Sequence, residues 1–139
     1  MFAFASLLAF TLALSVSSTV VPEVRDNQIQ ARQGEVFQGG FASFFNQGGV
    51  AGACGQVHSD SDLIAAIALE RYGSTAVTSP LCGRRVVITN TRNGKSVTAT
   101  IADACPTCQN ANSFDLSIGA FTSIAALADG LVPIEWHFV

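Results

Sequence analysis

Apolar and polar residues alternate in several short runs of the second half of the chain, a period that is typical of half-buried β-strands. The runs RRVVITN (84–90) and SVTATIA (96–102) are rich in β-branched residues and are separated by an Asn-Gly turn, a strong hairpin signal. The last run, VPIEWHFV (132–139), alternates in the same way. We therefore predict an antiparallel hairpin and a C-terminal strand. Within that strand we expect Trp136 to be a core or rim residue rather than an exposed ring on which a sugar could stack.

Two segments have the pattern of short amphipathic helices. In HSDSDLIAAIALERYG (58–73), Ser59 is placed to cap the first turn, and a glycine follows the last turn. In LSIGAFTSIAALADG (116–130), Ser117 is the capping residue, an apolar stripe follows, and a glycine again ends the pattern. We predict one helix in each segment.

Ahead of these elements, GGFASFF (39–45) predicts a strand that opens into a glycine-rich loop. Short strands therefore dominate, two short helices are inserted, and the folded unit begins and ends with a strand. Closing such a set of strands into a small barrel leaves no exposed edge. The sequence predicts a mainly β domain that covers residues 39–139.

The first twenty-one residues, MFAFASLLAFTLALSVSSTVV, contain no charged side chain. An apolar stretch followed by small residues predicts a secretory signal peptide at 1–18, cleaved between Ser17 and Thr19, with a polar leader at 19–38. The alternative is an uncleaved anchor, because about 20 apolar residues can span a bilayer. Both predict export, and cleavage predicts an extracellular protein without a membrane segment.

Charge excludes one class of partner. Seven basic and ten acidic residues give a net charge of −3, and Arg84 and Arg85 are the only adjacent basic pair. Nucleic-acid binding requires a clustered basic footprint, and nucleotide-binding glycine motifs are also absent. A neutral surface rich in glycine and serine favours an uncharged polar partner such as carbohydrate.

The four cysteines predict two disulfides in an exported chain, with three possible connectivities. A zinc site is the less favoured alternative because only one cysteine pair is close in sequence. His58, Asp60 and Asp62 are interpreted as helix-capping residues rather than ligands of a metal. No metal and no cofactor is predicted, since the segment lacks an oxygen-rich calcium loop.

Several motifs occur together in one order: GGFASFF, GACG, CGRRVVIT, IADACPTC, FDLSIGAF and IEWHF. Their order and spacing resemble the double-psi β-barrel of expansin domain 1, of barwin and of the bacterial rare lipoprotein A-like proteins. The resemblance is greatest to the single-domain fungal expansin-like proteins known as loosenins. It implies a six-stranded double-psi β-barrel with an open groove across one face.

The resemblance also implies a site. Residues that line the expansin groove correspond to Ser43, Asp103 and Asp115 of this chain. Two positions depart from the expansin pattern, since Ser113 replaces a histidine and Cys105 stands where some relatives have a tyrosine.

The same resemblance implies the disulfide pairing. A cysteine in the GACG block of expansins pairs with one in a later CG block, which corresponds to Cys54 with Cys82. That leaves Cys105 with Cys108, a short closure just after Asp103.

Glycosidic hydrolysis with inversion needs an acid and a base on opposite sides of the bond. Related glycoside hydrolases carry the base in the first-strand block, and here GGFASFFNQGG has no Asp or Glu. Asp115 is a candidate acid, but the chain is predicted not to be a hydrolase. In an alternative without a ligand, Asp103 binds turn amides and Asp115 starts the second helix.

The favoured function is that of a secreted, monomeric, non-lytic expansin-like protein that binds and loosens cell-wall cellulose or chitin. A protein-binding module, such as a cysteine-protease inhibitor or a host-directed effector, is the second hypothesis. A lytic transglycosylase-like enzyme is the third.

Overall fold

The computed structural model describes residues Gly34–Val139, so the predicted signal peptide and most of the leader lie outside the described residues. The elements are β1 Phe37–Phe45, β2 Ile64–Ala68, α1 Leu69–Tyr72, β3 Arg85–Asn90, β4 Ser96–Cys105, β5 Phe114–Ser117, α2 Ile118–Ile124, a 3-10 turn Leu127–Asp129 and β6 Val132–Phe138. The strands close into a barrel in the order β1-β5-β2-β4-β3-β6. The predicted mainly β, six-stranded barrel with two short helices is confirmed.

Two strand pairs, β1–β5 and β2–β4, are parallel, and the other four pairs are antiparallel. Parallel neighbours cannot be joined by a tight hairpin, and in both pairs at least one other strand lies between the two partners along the chain. The predicted hairpin forms between β3 and β4, with Arg85 opposite Thr100. β6 pairs with both β1 and β3, so the C-terminal strand closes the barrel.

Trp136 is a core residue, as the alternation in β6 predicted. Its side chain is 1% exposed and stacks on Phe37 at a centroid distance of 4.3 Å. The indole Nε1 donates to the carbonyl oxygen of Asn112 at 3.0 Å. A tryptophan buried with its N–H bonded adds apolar contact area without leaving an unpaired polar group.

The helix predicted over 58–73 is wrong. The middle of that segment is β2, a central strand with all five residues buried between β4 and β5. Only the single turn Leu69–Tyr72 is helical. A short apolar run that is buried on both faces has the same hydrophobic pattern in a strand and in a helix, and here pairing to two neighbours decides for the strand.

The second helix is correct in its start and wrong in its extent. The hydroxyl of Ser117 accepts from the Ala120 amide and caps α2, as predicted, but the helix ends at Ile124. The rest of the segment forms the separate 3-10 turn, in which Leu127 is 43% exposed instead of continuing the buried stripe.

The structure forms both disulfides in the pairing that the resemblance implied. Cys54–Cys82 joins the loop after β1 to the turn before β3, and Cys105–Cys108 closes the turn after β4. The zinc alternative is therefore wrong, because all four sulfurs are used in covalent pairs.

The chain crosses itself closely at Gly40. The loop before β5 lies over β1, where Asn110 and Asn112 donate side-chain N–H groups to the carbonyls of Gly39 and Gln38. A Cβ atom at Gly40 would overlap the carbonyl oxygen of Asn112. Glycine at this position thus lets two backbones meet.

We predict that Gly40→Ala destabilises the barrel by roughly 3 kcal/mol, because a methyl group overlaps backbone that cannot yield. Equilibrium urea unfolding measures the change. Gly39→Ala is the matched control: its Cβ meets no atom within 4 Å, although its φ of 76° is unfavourable for alanine. Equal losses for the two variants would show that close approach is not the constraint.

Candidate functional site

The three candidate groove residues lie side by side across four strands. In the register of the barrel, Ser43 of β1 is opposite Asp115 of β5, Asp115 is opposite Ala66 of β2, and Ala66 is opposite Asp103 of β4. Two strand spacings therefore put the Cα atoms of the two aspartates about 10 Å apart. We call Ser43, Asp115, Ala66 and Asp103 the acidic row.

A bulge in β4 brings Asp103 into this row. Ala65 is opposite Ile101, but the next residue, Ala66, is opposite Asp103, so Ala102 is an extra residue. Regular alternation would turn Asp103 to the same side as Ile101, which is 1% exposed in the core. The bulge reverses that orientation, a common use of bulges beside functional sites.

Asp115 lies at the centre of the row and is half-buried. The Ser43 hydroxyl donates to its Oδ1 at 3.0 Å. Burial raises the pKa of Asp115, and the neighbouring Asp103 charge raises this pKa further, while the Ser43 hydrogen bond opposes the rise. Asp115 therefore keeps its proton to a higher pH than an ordinary aspartate, and in that form it can donate to a ligand oxygen.

Asp103 is held differently. Its Oδ1 accepts from the backbone amides of Ala53 at 2.7 Å and Ala104 at 2.8 Å. Gly52 permits this contact, because a Cβ there would lie 2.6 Å from the Ala102 carbonyl oxygen. One Asp103 oxygen is thus committed to fixing the loop, as the alternative without a ligand supposed. Asp115 does not fit that alternative, since it lies inside β5.

The His58, Asp60 and Asp62 segment forms a turn before β2 and caps no helix. Asp62 Oδ2 accepts from the Ser59 amide at 3.0 Å and lies 3.3 Å from His58 Nδ1. The Ser59 backbone hydrogen bond lowers the pKa of Asp62. Asp60 Oδ1 instead accepts from the Gln47 amide at 2.6 Å, which fastens the loop after β1.

The described part of the chain contains neither a metal-ligand cluster nor a membrane-spanning helix. From Gly34 to Val139, no three His, Cys, Asp or Glu side chains come together as a metal site would require. Over the same residues, no helix has the length and apolar character needed to cross a membrane.

Sequence reasoning missed residues that shape the row. Ala66 lies between Asp115 and Asp103 in the row, and its place there was not predicted because its segment was assigned to a helix. Alternation along GGFASFF places Phe41 and Phe45 on the same face of β1 as Ser43, a signal that was present in the sequence. Ser113 is fully buried: its hydroxyl accepts from the Phe41 amide and donates to Asn110, so it supports β1.

We predict that Asp115→Asn becomes more stable relative to the unmodified protein as pH rises. Because the pKa of Asp115 is raised in the folded state, protonation of this carboxyl group stabilises the fold. This stabilisation is complete below the ordinary aspartate pKa of 3.8 and is lost as the pH rises through the folded-state pKa. Urea unfolding at a series of pH values measures the difference.

Ser43→Ala serves as the contrast for this titration. Removing the hydroxyl that opposes the rise should move the pKa of Asp115 still higher and shift the loss of stability to higher pH. A stability difference between Asp115→Asn and the unmodified protein that does not change with pH would contradict the assignment.

Comparisons with known proteins agree with this architecture. A family model described as lytic transglycolase matches residues 37–136. An Asp f 7 allergen homolog of Arthroderma benhamiae is 30% identical over 110 residues, covering 68% of this chain and 37% of that protein. Putative ripening-related protein 6 of Oryza sativa subsp. japonica is 30% identical over 102 residues, covering 70% of this chain and 58% of that protein. The chain thus spans less than two thirds of the length of either relative.

Solved structures share the barrel. Streptomyces papain inhibitor superposes with a TM-score of 0.66 at 30% identity, covering 78% of this chain and 97% of that one. Apo expansin of Clavibacter michiganensis gives a TM-score of 0.61 at 25% identity, covering 76% of this chain and 50% of that one. A variant of that expansin in complex with cellohexaose gives the same TM-score at 24% identity. The chain belongs to the rare lipoprotein A-like double-psi β-barrel family and is expansin-like, as its motifs predicted.

Proposed function

We propose that this chain is a secreted, non-lytic protein that binds neutral cell-wall polysaccharide, cellulose or chitin, along the acidic row. The observation that carries the proposal is the Ser43–Asp115 hydrogen bond, set in one row with an Asp103 whose orientation is fixed by two backbone amides. The row presents acceptors and one exchangeable proton on a face of the barrel.

The chemistry of the row suits sugar hydroxyls. Carboxylate oxygens accept strong hydrogen bonds from hydroxyl donors, and a protonated Asp115 can donate to an ether or hydroxyl oxygen. A net charge of −3 disfavours an anionic polymer. A neutral polysaccharide meets both conditions.

The same arrangement argues against cleavage. An inverting hydrolase needs a second carboxylate free to activate water on the opposite side of the bond. Asp103 has one oxygen engaged by the Ala53 and Ala104 amides, and Phe37–Gly49 contains no acidic residue. Asp103 is therefore the one other carboxyl of the row, and because its orientation is fixed by these loop amides we expect Asp115 to act by hydrogen bonding rather than in hydrolysis.

The comparisons support binding at this barrel. A variant of an expansin with the same fold forms a complex with cellohexaose. Its identity to this chain is 24%, so the likeness supports the shared barrel on which we base the proposal. Secretion is supported by the apolar N-terminal run of the sequence.

We expect the unmodified protein to be retained on insoluble cellulose or chitin and Asp115→Asn to be retained at least about tenfold less, since a lost charge-assisted hydrogen bond is worth roughly 1.5–3 kcal/mol. Co-sedimentation measures retention. Glu70→Gln, which neutralises an exposed carboxylate outside the row, is the control and should bind normally. Soluble sugars should not accumulate during long incubation at acidic pH. Equal retention of all three proteins on every polymer would refute the row as the binding site.

A second function is favoured by one specific observation. The papain inhibitor of Streptomyces matches this chain over 97% of its own length. The loop after β1 exposes Val50 and Val57 at 69% and 61%; Val57 forms an isolated antiparallel bridge with Ala51, the residue after Val50. An exposed apolar loop on a rigid barrel is suited to entering the cleft of a cysteine protease.

Inhibition assays with a papain-type protease separate the two functions. If the loop is the inhibitory element, Val50→Ser should weaken inhibition about tenfold while Asp115→Asn leaves it unchanged. Absence of inhibition by the unmodified protein at high concentration would eliminate this second function.

A further inference from the structure

The outer face of β1 continues beyond the acidic row at both ends, where Phe41 and Phe45 are each partly exposed. Phe45 is in register with Ser117, which is fully buried and donates its hydroxyl hydrogen to the Asp62 carbonyl. The turn before β2 therefore covers the Ser117 side chain, which leaves Phe45 without an exposed partner on β5. At the other end, Phe41 and its neighbour Pro133 are both partly exposed.

Phe41 and Pro133 are direct partners in the antiparallel pair of β1 and β6. Directly opposite residues of such a pair project to the same side with Cβ atoms about 5 Å apart. Their two rings thus form one apolar surface, which we call the Phe41 platform. A polar contact lies near the platform: the Asn110 side-chain amide donates to the carbonyl oxygen of Gly39, two residues before Phe41.

The platform is continuous with the acidic row. Phe41 and Ser43 are two residues apart on one face of β1, a separation of about 7 Å along the strand. That distance is on the scale of one pyranose ring. A sugar bound at the Ser43–Asp115 pair can therefore place its neighbour over the platform.

A pyranose ring presents an axial C–H face that packs on aromatic and proline rings, while its hydroxyls project from the edge. The platform offers the apolar contact, and the row beside it offers the hydrogen bonds. Phe41 has a partly exposed apolar partner in Pro133, whereas the partner of Phe45 is the buried Ser117, so the larger apolar surface lies at the Phe41 end.

We propose that Phe41 and Pro133 form an apolar subsite for the pyranose ring next to the one held by Ser43 and Asp115. This inference rests on the proposed function and specifies how that site binds its ligand. The ligand is a neutral, unbranched oligosaccharide whose rings expose a flat apolar face, and its affinity increases with length until the platform is occupied.

Calorimetric titration with β-1,4-linked gluco- and chito-oligosaccharides, from the monosaccharide to the hexamer, tests the subsite. Phe41→Ser should lose about five- to tenfold in affinity for the hexamer and for the dimer, the effect of one stacked aromatic contact, and change little for the monosaccharide, which does not reach the platform. Phe41→Tyr should restore the hexamer affinity. Val87→Ser is the matched control, because Val87 is a partly exposed apolar residue of β3, which contributes nothing to the row.

The outcomes distinguish the subsite from the function. If Phe41→Ser binds the hexamer like the unmodified protein while Asp115→Asn loses it, the subsite is wrong and the proposed function stands. If the unmodified protein binds no oligosaccharide and no insoluble polymer, both are wrong. Pro133→Ser provides the same test should Phe41→Ser fail to fold, with the same expected loss for the hexamer.

Discussion

The bulge at Ala102 sets which side of the barrel Asp103 faces, and the acidic row depends on that one extra residue. Ile101 fills the core, and in a regular strand Asp103 would follow it inward, where an unpaired carboxylate is strongly unfavourable. On the outer face, Asp103 lies beside Ala66, which separates it from Asp115 in the register of the strands. Core packing and site geometry are therefore consequences of the same strand register.

The two aspartates of the row differ because their surroundings differ. Asp103 is oriented by two backbone amides and so tethers the loop that carries Gly52 and Cys54. Asp115 has one serine partner and a half-buried position that raises its pKa. Asp103 therefore has a fixed orientation, whereas Asp115 is a hydrogen-bond donor when protonated and an acceptor when ionised. This difference between the two carboxyl groups is the basis of the proposed binding of sugar hydroxyls.

The sequence predicted the elements whose signals are local. The β-branched runs and the Asn-Gly turn specified the hairpin, and alternation placed Trp136 in the core. The segment 58–73 was mistaken for a helix because IAAIA is buried on both faces, and only its pairing with β4 and β5 distinguishes a strand. The capping signal at Ser59 was real, but it belongs to a turn.

The site was less predictable than the fold. Ser43, Asp103 and Asp115 came from the family resemblance, and alternation alone would have put Asp103 in the core because a bulge has no clear sequence signal. Cysteine count left three pairings open, so the disulfides also depended on the resemblance. The Phe41 platform needed the register of β1 with β6, a long-range contact.

Binding along the acidic row can be tested by NMR titration of the isotope-labelled protein with a soluble gluco- or chito-oligosaccharide. We expect amide shifts concentrated at Ser43, Ala66, Asp103 and Asp115, with the oligosaccharide still intact when the experiment ends. Shifts confined to the loop around Val50, or cleavage of the oligosaccharide in the sample, would contradict the proposal.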